Sequence, residues 1–145
     1  MKMYVRAFHG ATDWGWVNQQ VPIVQCSDTC GIMAIDLDKN ETVGAMILDN
    51  FTHNSVQTHF MISSSIVLKH GFLEECYDYV FNIEGKKFMY GMVPGDNEAA
   101  IKLNKKMGWT EKVRLTEAFK PGVDYVVMEL KKENCRYLNV LGAAA

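Results

Sequence analysis

Asn97, Ala100, Leu103, Gly108 and Trp109 are spaced so that each has a distinct job in one strand–helix–turn unit. An Asn that opens a helix directly after a strand can bond free backbone groups with its amide. Ala100, one turn on, lets another chain or a ligand approach closely. Gly108 suits a left-handed helix exit, and Trp109 then folds back into the core. An amphipathic helix with a glycine stop accounts for Leu103, Met107 and Gly108. Such a unit builds binding architecture and supplies no nucleophile of its own. Lys102, Lys105 and Lys106 share one face of this helix, either as a solvated basic face or as contacts for phosphate. Cys26 and Cys30 stand in C-x3-C spacing with no second ligand pair of zinc spacing nearby, so they read as two thiols and no metal site is expected.

The elements that must position these residues follow from periodicity. Lys2 to Phe8 alternates weakly, as an edge strand does. Thr12 to Gln20 reads as a short helix capped by Thr12 or Asp13 and ended by Pro22. Gly31 to Asp38 and Thr42 to Phe51 are β-rich and flank the polar turn Asp38-Lys39-Asn40-Glu41. Ser55 to Ser63 is a third strand, so the three form an antiparallel meander. Ile66 to Ile83 carries Leu68, Phe72, Cys76, Tyr79 and Val80 at helical spacing and stops at Gly85, which predicts one long helix. Lys87 to Val93 is a strand and Asn97 to Met107 a helix. Glu111 to Phe119 and Val123 to Leu130 are two arms of a hairpin joined at Pro121-Gly122. Lys131 to Leu138 reads as an edge strand or as a segment that pairs with a second subunit, which leaves a homodimer open.

The result is an α+β domain with about six to seven strands, mostly antiparallel, and about three helices; Ser55 to Val93 is a right-handed parallel crossover. Residues 1–140 read as one domain and 141–145 as a disordered tail. Of the 145 residues, 48% are apolar and 22% charged, with net charge −2, which is ordinary for a globular chain. No Lys/Arg block suits a phosphate-tracking surface, so nucleic acid is not an expected partner. No apolar run is long enough to span a membrane, and Met1 to Gly10 has no signal-peptide hydrophobic region. The expected location is the cytoplasm, with the four cysteines reduced.

The stretch from Asn97 to Trp109 resembles the N-x-x-A-x-x-L-Y-x-x-x-G-F motif of the GNAT family of N-acetyltransferases, matching at Asn97, Ala100, Leu103, Gly108 and the aromatic Trp109. The preceding strand, the order of the two helices and the closing hairpin also fall in family order. The resemblance covers most of Trp14 to Leu138. It looks closest to small bacteriophage-encoded GNAT-like proteins, through Trp14-Gly15-Trp16-Val17 near the start and Cys135-Arg136-Tyr137-Leu138 near the end. A phage origin would place the protein in the host cytoplasm.

The resemblance implies a GNAT fold with a splayed central parallel pair, Ser55–Ser63 and Lys87–Val93, and acetyl-CoA as co-substrate. Pantetheine would bond backbone groups of Met61, Ile62 and Ser63, with one N–H stabilising the thioester oxyanion. The pyrophosphate would sit at the start of the first long helix, near Ser64, Ser65, Lys69, His70 and Gly71. Asn97, Ala100 and Asn104 complete the implied CoA contacts. Two departures stand out. The family's phosphate loop, Q/R-x-x-G-x-G/A, is reduced here to one glycine, Gly71. The Tyr that often protonates the leaving thiolate is replaced by Asn104, which leaves Tyr90 or a water for that task. His59, on the strand beside the thioester, is the first candidate base, although a packed sheet histidine is the commoner meaning. His53 and Asp49 are weaker candidates. Trp14, Trp16 and Tyr90 would line the acceptor cleft, unless Trp14 belongs to the core. The implied reaction is direct transfer of an acetyl group from acetyl-CoA to an amine, on a small molecule or a host protein. The alternatives are a catalytically inactive GNAT-like binding or virion-associated structural protein, and an unrelated α+β interaction module.

Overall fold

The computed structural model describes residues 1–138, so the tail expected at 141–145 lies outside the described residues. The strands are β1 (Met3–Ala7), β2 (Cys30–Asp36), β3 (Glu41–Asp49), β4 (Ser55–Ile62), β5 (Phe88–Pro94), β6 (Thr110–Lys120) and β7 (Val123–Lys131). The α-helices are α1 (Gly10–Gln20), α2 (Phe72–Asp78) and α3 (Glu98–Lys106). The strands form one seven-stranded sheet in the order β1-β2-β3-β4-β5-β7-β6. It is mixed: β4 and β5 run parallel, and the other neighbouring pairs are antiparallel. The chain divides into two compact units, one of Met1–Phe51 with Gln57–Cys76, the other of Thr52–Val56 with the described residues from Tyr77 on.

In the first unit β2, β3 and β4 form the expected antiparallel meander, with a register shift between Ala34 and Ile35 and with Ile47 opposite His59 and Ala45 opposite Met61. Met33, Ala45, Ile47 and Met61 of the meander and Val17 of α1 form a buried cluster, with Trp14 and Trp16 of α1 packed against it. Burying each larger apolar side chain here contributes about 1.5–3 kcal/mol. Helix α1 starts at Gly10, earlier than expected, and His9 occupies the cap position without a side-chain bond. Asp13 lies inside the helix and reaches back to accept the His9 N–H at 2.8 Å. The Arg6 guanidinium of β1 forks both Asp13 oxygens at 2.7 and 2.8 Å, which ties α1 to the sheet. The opposite face is covered by the segment after β4. A Cβ at Gly44 would lie 3.4 Å from Phe72 and 3.5 Å from Val67.

The expected single helix over Ile66–Ile83 is broken. Ser65–His70 is a 3-10 helix, Gly71 turns left-handed at φ 80°, and α2 starts at Phe72. A π turn over Tyr79–Ile83 then ends the run, with the Glu84 N–H bonded to the Tyr79 carbonyl at 2.8 Å. The apolar spacing survives these breaks because Phe72, Cys76 and Val80 are all fully buried.

In the second unit, β5, β7 and β6 form an antiparallel sheet. The Asn54 carbonyl accepts N–H bonds from Lys87 at 2.8 Å and Phe88 at 3.1 Å, which joins the start of β4 to the start of β5. Helix α3 opens with Asn97 as its cap, the side chain accepting the Ala100 N–H at 3.2 Å. Gly108 leaves the helix at φ 105°, and Trp109 is buried. The Trp109 indole N–H donates to the Tyr77 hydroxyl at 3.0 Å, and that hydroxyl reaches the Met107 sulfur at 3.4 Å. The expected edge strand over Lys131–Leu138 is not formed. Lys132–Asn134 is a 3-10 turn and Cys135 is buried, so the chain turns inward to meet Gly108.

Candidate active site

Strand β4 positions most of the candidate residues in the first unit. Its pairing with β3 places Ile47, Asp49, His59 and Met61 on one face of the meander, the face that α1 covers. Asp49 lies opposite Gln57, one alternation from the Ile47–His59 pair, so its carboxylate and the His59 ring are diagonal neighbours. Both Asp49 oxygens stand 3.1 Å from His59 Nε2. Asp49 is buried and His59 half-buried. Gln57 is held on its other side by the Asn50 amide at 2.6 Å. An ionised carboxylate only accepts, so Nε2 is the ring atom that donates wherever Asp49 is ionised. Sequence reasoning named His59 and Asp49 as separate candidates and missed the pair. The signal was the hairpin register, which fixes which residues across the turn become neighbours.

The backbone of β4 corrects one expectation. The Ser63 N–H and hydroxyl both bond the Val43 carbonyl, each at 2.9 Å. Backbone direction alternates along an antiparallel strand, so Met61 also faces β3 and Ile62 turns its N–H and C=O away from it. Of Met61, Ile62 and Ser63, Ile62 is the residue whose backbone is directed away from the meander.

The break at Gly71 also moves the helix start that was expected to face a pyrophosphate. Ser64 caps the 3-10 helix through the Ile66 N–H, and Ser65 begins that helix. Lys69 and His70 are exposed in its last turn, and with Gly71 they directly precede the first turn of α2. Ser64 and Ser65 therefore lie on the order of 10 Å upstream of Lys69, at about 2 Å rise per residue.

In the second unit, Tyr90 sits on β5 opposite Glu129, half-buried, and alternates with the buried Met89. The Asn97 carbonyl oxygen is engaged as the α3 cap. Ala100 is half-buried one turn on. The Asn104 amide points at the Met128 sulfur at 3.5 Å, and its backbone carbonyl accepts the Trp109 N–H at 3.0 Å. These three residues build α3 and its exit. His53 is exposed in the turn before β4. Trp14 and Trp16, expected at an acceptor cleft or in the core, both pack on the core cluster of the first unit.

The cysteines divide by burial. Burial pushes the Cys76 thiol well above its ordinary value, and the nearby Glu75 and Glu74 charges push the same way. Burial raises Cys135 as well. Both shifts disfavour the nucleophilic thiolate form of these two thiols. Among the described residues, no group of three or more His, Cys, Asp or Glu is placed to hold a metal ion.

No family model matches the chain, and no curated protein matches it in sequence. Solved structures do match. The spermidine/spermine N-acetyltransferase SpeG from Vibrio cholerae, in complex with manganese ions, superposes with TM-score 0.76 at 17% identity, over 94% of this chain and 95% of that one. The same enzyme in complex with CoA and spermine gives TM-score 0.73 at 17% identity, over 94% and 98% of the two chains. Its N152L mutant gives 0.75 at 18% identity, over 94% and 96%. The chain thus has the fold of these spermidine N-acetyltransferases, which is the GNAT fold that the Asn97–Trp109 stretch resembles.

Proposed function

We propose that the protein is an acyl-CoA-dependent N-acyltransferase that passes an acetyl group from acetyl-CoA directly to an amine. The observation that carries this reading is the placement on β4 of a carboxylate-held histidine, His59, close in sequence to Ile62, whose backbone is turned from the meander. The fold it stands in is shared with enzymes named as N-acetyltransferases, one solved with CoA and spermine. Pantetheine would bond the Ile62 backbone, and Lys69, His70 and the Gly71 backbone would meet the pyrophosphate. The exposed Lys69 supplies charge where the second loop glycine of the family is missing. His59 would take the proton that the attacking amine loses. A water would protonate the departing thiolate, in place of the Tyr that Asn104 replaces. Buried Cys76 and Cys135 fit a reaction without a covalent enzyme intermediate.

The test is calorimetry with acetyl-CoA, followed by release of free CoA thiol with a small-molecule amine, a lysine peptide and a free peptide N-terminus. The expected result is binding and steady thiol release with at least one amine, whose identity assigns the acceptor class. Binding without release supports a non-catalytic domain instead. Absence of binding near millimolar acetyl-CoA overturns the reading.

A further inference from the structure

We infer that Asp49 is the positioning residue of the His59 base, and that it makes Nδ1, rather than Nε2, the atom that takes the proton from the acceptor amine. This rests on the N-acyltransferase reading and deepens it. Three observations on the β3–β4 pair converge. The Asp49 carboxylate is buried at the end of β3 and meets the ring symmetrically, both oxygens 3.1 Å from Nε2. The ring is half-buried, so it retains access while its orientation is held. The residue opposite Asp49 is the neutral Gln57, itself bonded to Asn50, so the cross-strand neighbour brings no charge to compete with His59.

A carboxylate in this position does three things. It fixes the neutral ring as the Nε2–H tautomer, it holds the ring plane, and it stabilises the imidazolium formed when Nδ1 takes a proton. The step then balances. The amine nitrogen forms a bond to the thioester carbonyl carbon, Nδ1 accepts the proton that nitrogen loses, and the C–S bond breaks. CoA leaves as the thiolate and is protonated by solvent, after which the imidazolium returns its proton to water.

The decisive variant is Asp49→Asn. Its amide donates to Nε2, which moves the ring hydrogen to Nδ1 and removes the base. The readouts are steady-state kinetics and nitrogen NMR of the His59 ring in the intact protein. The expected wild-type spectrum is a neutral Nε2–H ring, and in Asp49→Asn an Nδ1–H ring. The expected kinetic effect of Asp49→Asn is a loss in kcat on the order of 10²-fold, with KM for acetyl-CoA moving less than about twofold. Asp49→Glu recovers part of the loss. Asp49→Asn combined with His59→Gln is no slower than His59→Gln alone, because the two residues act as one unit. A wild-type ring protonated on Nδ1 overturns the inference. So does turnover that Asp49→Asn leaves intact, or losses that multiply in the double variant. A folded wild-type protein that releases no CoA thiol overturns the N-acyltransferase reading itself, and the inference with it.

Discussion

Replacing Gly108 by Ala tests how the α3 exit is built. Gly108 sits at φ 105°, and a Cβ there would fall 2.2 Å from the Asn134 carbonyl oxygen and 3.2 Å from its carbon. Two costs add. Holding a non-glycine residue at such a φ costs about 1–3 kcal/mol. Displacing a backbone carbonyl that is fixed by the 3-10 turn before buried Cys135 costs about 1–3 kcal/mol more, as overpacking does. The sum, roughly 2–6 kcal/mol, is a large share of the 5–15 kcal/mol that typical domains possess. Gly122, in the β6–β7 turn, is the control. Its φ is 78°, but an added Cβ meets nothing within 4 Å, so Gly122→Ala bears the backbone cost alone. Urea unfolding at one pH measures both. The expected order is wild type, then Gly122→Ala, then Gly108→Ala, the last lower by at least about 2 kcal/mol. A Gly108→Ala midpoint within about 0.5 kcal/mol of wild type, or equal losses at both glycines, refutes the steric account.

Asn97→Ala removes the α3 cap and is expected to cost about 1 kcal/mol in urea unfolding, with Asn97→Ser recovering most of it; KM for acetyl-CoA is expected to stay within about twofold. A large KM effect without a stability change would place Asn97 at the ligand instead. Tyr77→Phe leaves the buried Trp109 indole N–H without its partner and is expected to cost about 1–3 kcal/mol, while Trp109→Phe loses the donor as well as ring volume. The Arg6 hydrogen bond holds the Asp13 carboxyl below its ordinary value against the opposing effect of burial. A depressed carboxyl stabilises the fold above the unfolded pKa of about 3.9 and loses that contribution as pH falls through the folded value. Acid titration of the melting temperature is therefore expected to fall more steeply below about pH 4 in wild type than in Asp13→Asn. Parallel curves would contradict the pairing.

The fold was largely legible because its signals are local. The β-rich runs Gly31–Asp38, Thr42–Phe51 and Ser55–Ser63 and the turn chemistry between them determine the meander, and Asn97, Gly108 and Trp109 mark α3 and its exit. Errors arose where an unseen contact decides. Thr12 and Asp13 looked like caps, yet Asp13 lies inside α1 and is bound by Arg6, a residue of strand β1. Ile66–Ile83 looked continuous because its apolar spacing is helical, and a single glycine at a left-handed φ divides it. Lys131–Leu138 read as an edge strand or as a segment pairing with a second subunit, but Lys132–Asn134 is a 3-10 turn that comes close to Gly108. For the candidate site, residue types were legible and their partners were not. His59 and Asp49 each stood out in the sequence, and their pairing needed the register of β3 on β4. Ser63 looked available to a ligand until the Val43 carbonyl claimed both its donors.

The central claim is transfer of an acetyl group to an amine, and mass spectrometry of the acceptor after incubation with the folded protein and acetyl-CoA tests it most directly. The expected result is an acetylated amine that accumulates linearly with time and enzyme, matched one to one by free CoA thiol and lost in His59→Gln. Absence of any acetylated product across small amines, lysine peptides and free N-termini, from a protein that melts cooperatively, contradicts the account.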